Sequence, residues 1–180
     1  MEEKTINIWD LGQDHAIVIP TNIGWTKDGN NVMGRGLAKQ AAKRYPNLPQ
    51  VIGERYKMLH SGRTRLGKPS VNENPPVFII RVPGDFELVF LPVKKLVRPA
   101  YLSWKNPADL QFIAKGLHYL RDNTIAKLKK PRLAIPLVGS GNGRLDKKAV
   151  RLTIERILGD LDNVTLVIFP EKLFNNNHRS

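Results

Sequence analysis

The chain has 180 residues and a mass of 20.3 kDa, with 41% apolar and 25% charged residues, enough for one domain with its own core and crowded for two. Cysteine is absent, which excludes disulfides, thiolate nucleophiles and Cys-containing metal sites. No apolar run approaches the ~20 residues of a membrane span. The acidic start MEEKTINIWD does not read as a secretory leader, so a reducing, cytoplasmic setting with no membrane partner is expected. The net charge of +13 and pI near 10.2 favour polyanionic partners, either nucleic acid or phosphorylated ligands.

In chain order, Ile6 and Ile8 alternate with Thr5 and Asn7, the pattern of a half-buried edge strand. Ala16–Pro20 (AIVIP) is a continuous apolar run, as in a strand covered on both faces. Leu37, Ala38, Ala41, Ala42 and Tyr45 share one helical face, and Pro46 stops that helix. Val51–Leu59 reads as a second, short helix, and Ser61–Pro76 as a long loop rich in Gly, Pro and Asn. Val77–Val82 and Glu87–Val93 are predicted strands of a hairpin turning at Pro83-Gly84-Asp85. A helix over Asp109–Arg121, a strand over Arg132–Val138, a helix over Lys147–Leu158 and a last strand over Val164–Phe169 complete the alternation. Residues 1–174 are expected to form a single domain, with 175–180 a disordered polar tail. Such alternation argues for an α/β sandwich with a mostly parallel sheet, whose ligands bind at the carboxyl ends of the strands.

Two predicted strands end in glycine-rich loops that run into helices. The first loop spans Asn22–Gly36 and the second Gly139–Gly143. Glycine lets backbone N–H groups approach a ligand, and a following helix N-terminus favours an anion. Two such loops at neighbouring strand ends suit a diphosphate. Neither is GxxxxGK[ST], and neither has the dinucleotide GxGxxG spacing. His15, His60, His118 and His178 lack metal-ligand spacing, so no metal and no cofactor are expected. Basic clusters at Arg55–Lys68, Lys127–Arg132 and Arg144–Arg151 lack the interleaved aromatics of a single-strand platform.

VMGRGLA (Val32–Ala38) and IPLVGSGNGRLD (Ile135–Asp146) resemble the two phosphate loops of macro domains. The nearest look is to the subgroup with the antitoxin that removes ADP-ribose from DNA and the terminal ADP-ribose glycohydrolase. The resemblance runs from about Asp10 to Phe169 and includes the strand end Leu91-Pro92-Val93-Lys94. It implies a three-layer α/β/α macro-domain-like sandwich with a mixed, mostly parallel sheet. It also implies ADP-ribose binding and hydrolysis of an ADP-ribosyl linkage on a nucleic-acid or protein acceptor, by a monomer. The resemblance assigns Asp10 to adenine and Asn22 to the distal ribose. Val32, Met33, Gly34, Arg35 and Gly36 match the first phosphate loop. Val138, Gly139, Ser140, Gly141, Asn142 and Gly143 match the second, and Lys94 matches a lysine at the reaction centre. In the terminal glycohydrolase an aspartate in the second loop acts with that lysine. Gly143 stands at the aligned position, and Asp146 is the nearest carboxylate, suited also to cap the next helix. Trp25 and Asp28-Gly29 lengthen the first loop relative to the family. A phosphatase acting on ADP-ribose 1″-phosphate and a non-catalytic ADP-ribose reader or nucleic-acid-binding module are the alternative readings.

Overall fold

The computed structural model describes residues 1–65 and 67–170. The expected tail at 175–180 lies outside the described residues. Six strands form one sheet: β1 (Glu2–Thr5), β2 (His15–Asn22), β3 (Phe78–Arg81), β4 (Glu87–Lys94), β5 (Arg132–Pro136) and β6 (Val164–Ile168). Their spatial order is β1-β6-β5-β2-β4-β3, with every pairing parallel except the β3–β4 hairpin. The five parallel strands therefore present their carboxyl ends on one edge.

Helices α1 (Gly36–Arg44) and α2 (Leu48–Arg65) cover one face, and α3 (Leu110–Tyr119) and α4 (Lys147–Leu158) the other. The apolar runs of β2 and β4 explain this layering. Side chains alternate across a strand, so Ile17, Ile19, Leu88 and Phe90 join the α1–α2 core. Ala16, Val18, Val89 and Leu91 join the α3–α4 core. All eight are fully buried, as strands covered on both faces require.

Two sequence expectations change, and one unassigned stretch gains structure. The first strand ends at Thr5, and Ile8 starts a 3₁₀ turn, Ile8–Asp10, that Asn7 caps by accepting from Trp9 N at 3.2 Å. Ile8 is fully buried there, so its apolar side chain marked a core contact rather than a strand position. The second helix runs from Leu48 to Arg65, overrunning the start of the predicted loop. A 3₁₀ segment, Ala100–Lys105, interrupts a stretch the sequence left unassigned. The predicted α4 agrees residue for residue, because its apolar face and its Asp146 cap are both local signals.

Candidate active site

A cleft of about 1080 Å³ opens on the carboxyl edge of the sheet. Its floor is made by the ends of four neighbouring strands: Thr21 and Asn22 on β2, Val93 and Lys94 on β4, Pro136 on β5, and Val167 and Ile168 on β6. Its walls are the two glycine loops, through Gly34–Gly36 and Gly139–Arg144, and the 3₁₀ segment at Trp104 and Lys105.

The long first loop is fastened from inside. Asn22 Nδ2 donates to Val32 O at 2.9 Å, and Asn22 Oδ1 accepts from Gly24 N at 3.0 Å. Buried Asn31 donates to Asn22 O and Gly24 O at 2.9 and 2.7 Å, while its backbone N–H reaches Pro49 O at 2.7 Å. Gly53 on α2 is essential to this seat: a Cβ there would lie 1.9 Å from Gly29 O. Beneath the floor, the buried hydroxyl of Tyr56 shares a 2.6 Å hydrogen bond with Thr21, and burial pushes its pKa up. The Asn22 amide is thus engaged in holding the loop while the residue lines the cleft.

The loop ends leave backbone donors facing the cleft. Arg35 precedes α1 without capping it through its side chain, so the first N–H groups of that helix, at Gly36, Leu37 and Ala38, have no intrahelical acceptors, and all three residues line the cleft. In the second loop, Ser140 N, Arg144 N and Leu145 N bond to Leu137 O, Gly141 O and Gly139 O. The N–H groups of Gly141, Asn142 and Gly143 between them have no acceptor among the described residues. Gly139 has φ 81° and Gly36 φ 57°, conformations that favour glycine. Gly143 is fixed sterically, since a Cβ would fall 2.3 Å from Gly139 O. Around Gly34 and Gly141 the space is open. Free amides beside an uncapped helix start form an anion cradle.

Lys94 ends β4 inside the cleft. Its Nζ donates to Trp104 O at 2.7 Å. Burial, then the guanidinium of Arg144, then that of Arg35 hold its pKa below the ordinary lysine value. The cleft thus carries a half-buried amine whose charged form is less favoured than that of a solvated lysine.

The fold brings Asn22, Val32, Gly34–Gly36, Lys94, Gly139 and Ser140–Gly143 together around this cleft. Met33 and Val138 are buried in the core beneath the loops, outside the lining. Asp10 is exposed in its 3₁₀ turn, also outside the lining. Asp146 caps α4, accepting from Ala149 N at 2.9 Å, and does not line the cleft. Asn31, Trp104, Lys105, Arg144 and Lys147 were among the contributors missed from sequence. Asn31 gave the weak signal of an Asn-Asn pair in a loop. Trp104 and Lys105 reach the cleft only through the fold, with Lys105 Nζ 5.6 Å from the Trp104 ring centre. A basic residue and an aromatic therefore do meet at the cleft, although no basic cluster in the sequence interleaves them.

No protein-family model matches the chain. The DNA ADP-ribosyl glycohydrolase of Mycobacterium bovis (strain BCG / Pasteur 1173P2) is 30% identical over 139 residues, which are 77% of this chain and 35% of that protein. The chain thus spans about a third of the length of the curated relatives it matches. Among solved structures, the macrodomain of Mycobacterium tuberculosis DarG matches with a TM-score of 0.67 at 24% identity, over 94% of this chain and 96% of that one. Thermosipho africanus DarTG in complex with ADP-ribose matches with a TM-score of 0.63 at 20% identity, over 89% and 39%.

Proposed function

This chain has the macrodomain fold, and we propose that its cleft binds ADP-ribose and hydrolyses an ADP-ribosyl linkage, with nucleic acid as the acceptor. The observation that carries the reading is the pairing of two glycine loops, with free backbone donors, around a half-buried lysine. The amides of the α1 start and of Gly141–Gly143 hold the diphosphate. That anchorage sets the distal ribose against Lys94, so the reacting groups meet in one orientation. Asp10 takes the adenine.

Lys94 carries the chemistry. Its neutral amine attacks the anomeric carbon as the bond from that carbon to the acceptor breaks. The proton lost by the amine ends on the acceptor. Water then replaces the lysine nitrogen, which leaves free ADP-ribose and the original amine. Among the described residues no carboxylate lines the cleft, so the paired-acid arrangement of ordinary glycosidases has no counterpart there.

The name of the mycobacterial relative supports a nucleic-acid acceptor, as does the excess of positive charge. The deciding experiment incubates the protein with ADP-ribosylated oligonucleotide, ADP-ribosylated protein and ADP-ribose 1″-phosphate, and identifies the products. Release of ADP-ribose and intact oligonucleotide is expected. Release of phosphate alone would make it a phosphatase, and binding without turnover would make it a reader.

A further inference from the structure

The cleft holds more positive charge than a diphosphate calls for. Arg35, Lys94, Lys105, Arg144 and Lys147 line it, and among the described residues no Asp or Glu does. None of the five forms an ion pair among the described residues, whereas Arg44, Arg81, Lys95, Arg121 and Arg151 each find a carboxylate elsewhere on the surface. Arg35 and Arg144 stand out because they come one from each glycine loop. Both are exposed, and both act on the Lys94 ammonium. Both line the cleft that Lys94 enters.

The backbone supplies a second observation. Arg144 has φ 62° and is the one non-glycine residue with positive φ among the described residues. Its N–H closes a turn on Gly141 O at 3.0 Å. Glycine would close that turn without strain, so the turn explains the conformation but not the arginine. A strained backbone that carries an unpaired guanidinium to the cleft mouth points to a ligand for that guanidinium. Guanidinium groups match phosphate oxygens in a two-pronged contact. The neutral amides already serve the diphosphate, so a further phosphate is left for the arginines.

We infer that Arg35 and Arg144 are a specificity-determining pair that grips a phosphodiester of the acceptor strand beside the modified nucleotide. This rests on the ADP-ribosyl hydrolase reading above. The pair makes the cleft selective for ADP-ribosyl groups carried on a phosphodiester chain over the same group on a protein side chain.

The test compares an ADP-ribosylated oligonucleotide, an ADP-ribosylated nucleoside without phosphate, and free ADP-ribose. It uses the intact chain and the variants Arg35→Gln, Arg144→Gln, the double variant and Arg144→Gly. The readout is the ratio of kcat/KM on oligonucleotide to that on nucleoside, which cancels any change in Lys94 reactivity. The double variant should lower this ratio at least about tenfold, through KM, and each arginine removed should flatten the log–log salt dependence by about 0.7 to 1. Affinity for free ADP-ribose should fall less than affinity for the oligonucleotide, since neutral backbone groups supply most of that ligand's contacts. Arg144→Gly should lose selectivity as Arg144→Gln does while raising the melting temperature, which shows that the strain belongs to the function. Equal losses on both substrates, or binding of free ADP-ribose weakened as much as that of the oligonucleotide, would assign the arginines to the diphosphate and overturn the inference. An unchanged ratio would make them solvated surface charges and overturn it too. If the unmodified protein fails to bind ADP-ribose, the parent reading falls, and this inference with it.

Discussion

Lys94 and Lys95 leave the end of β4 in opposite directions. Lys94 Nζ turns into the cleft and donates to Trp104 O at 2.7 Å, while Lys95 Nζ turns out and pairs with Asp109 Oδ2 at 2.6 Å. Period-two side-chain alternation at a strand end accounts for the split. Lys94→Ala should therefore lower hydrolysis by at least ~100-fold while ADP-ribose affinity falls by less than ~tenfold, because binding rests on backbone donors. Lys95→Ala breaks a partly exposed ion pair and should cost ~0–1 kcal/mol of stability with turnover retained. Single-turnover rates and calorimetric affinities on both variants check this, and a reversed order would remove Lys94 from the reaction.

The pH profile follows from the surroundings of Lys94. Burial and two like charges, Arg144 from the second loop and Arg35 ahead of α1, disfavour its ammonium, and among the described residues only the Trp104 carbonyl accepts from it. The neutral amine accumulates as pH rises, so kcat should climb with pH and level off below the ~10.4 of a solvated lysine. Arg144→Gln removes one of the like charges, raises the lysine pKa and moves the climb to higher pH. A climb that stays put in Arg144→Gln would show that the titrating group is not Lys94.

The glycines of the two loops separate into two kinds. A Cβ at Gly34 or Gly141 meets open space, whereas one at Gly143 meets Gly139 O at 2.3 Å and Ala108 Cβ at 2.6 Å. Gly34→Val and Gly141→Val should fold normally and lose ADP-ribose binding, because their side chains occupy the ligand's approach. Gly143→Val should lose stability before binding is even assayed, by an amount typical of overpacking, ~1–3 kcal/mol. Thermal melts and ligand titrations on the three variants distinguish the two kinds, and a folded Gly141→Val with full affinity would reduce the second loop to a turn.

Ligand should stabilise the native state. At about 100 times its dissociation constant ADP-ribose should add ~2.7 kcal/mol, a resolvable rise in melting temperature. Adenosine, which has no diphosphate for the free amides, should do much less. An unmoved melt in millimolar ADP-ribose would count against the whole reading of the cleft.

Asp146 provides a test with two arms. Its Oδ1 accepts from Ala149 N at 2.9 Å as the cap of α4. Asp146→Ala should cost ~1 kcal/mol, the usual loss of an N-cap, and Asp146→Asn should restore it. Turnover by Asp146→Asn then reads the carboxylate alone. Retained turnover is expected, since Asp146 lies outside the cleft lining, and a large loss would return it to the reaction.

Local signals in the sequence carried most of the fold. The alternation of AIVIP and ELVFLPVK with amphipathic helices placed the parallel strands, and Asp146 and Pro46 set helix ends. Signals that depend on packing did not survive translation. Ile8 looks like a strand residue because burial, not pairing, selected it. The site divides the same way: the glycine loops and Lys94 sit at strand ends, where sequence order alone brings them to one edge. Asn31, Trp104 and the left-handed Arg144 depend on contacts made across the fold, and no spacing in the chain announces them.

The close seat of Gly53 against Gly29, together with the buried Asn31 amide, fixes the first loop before any ligand arrives. Its ordering entropy is lost during folding, not during capture. Association should then proceed at the ordinary pace of a preformed cleft, and ligands should differ mainly in how long they stay. Helix α2 contributes no residue to the cleft lining, yet it governs that timing. A side chain forced in at Gly53 would free the loop, and the damage would surface as slow uptake rather than as a missing contact.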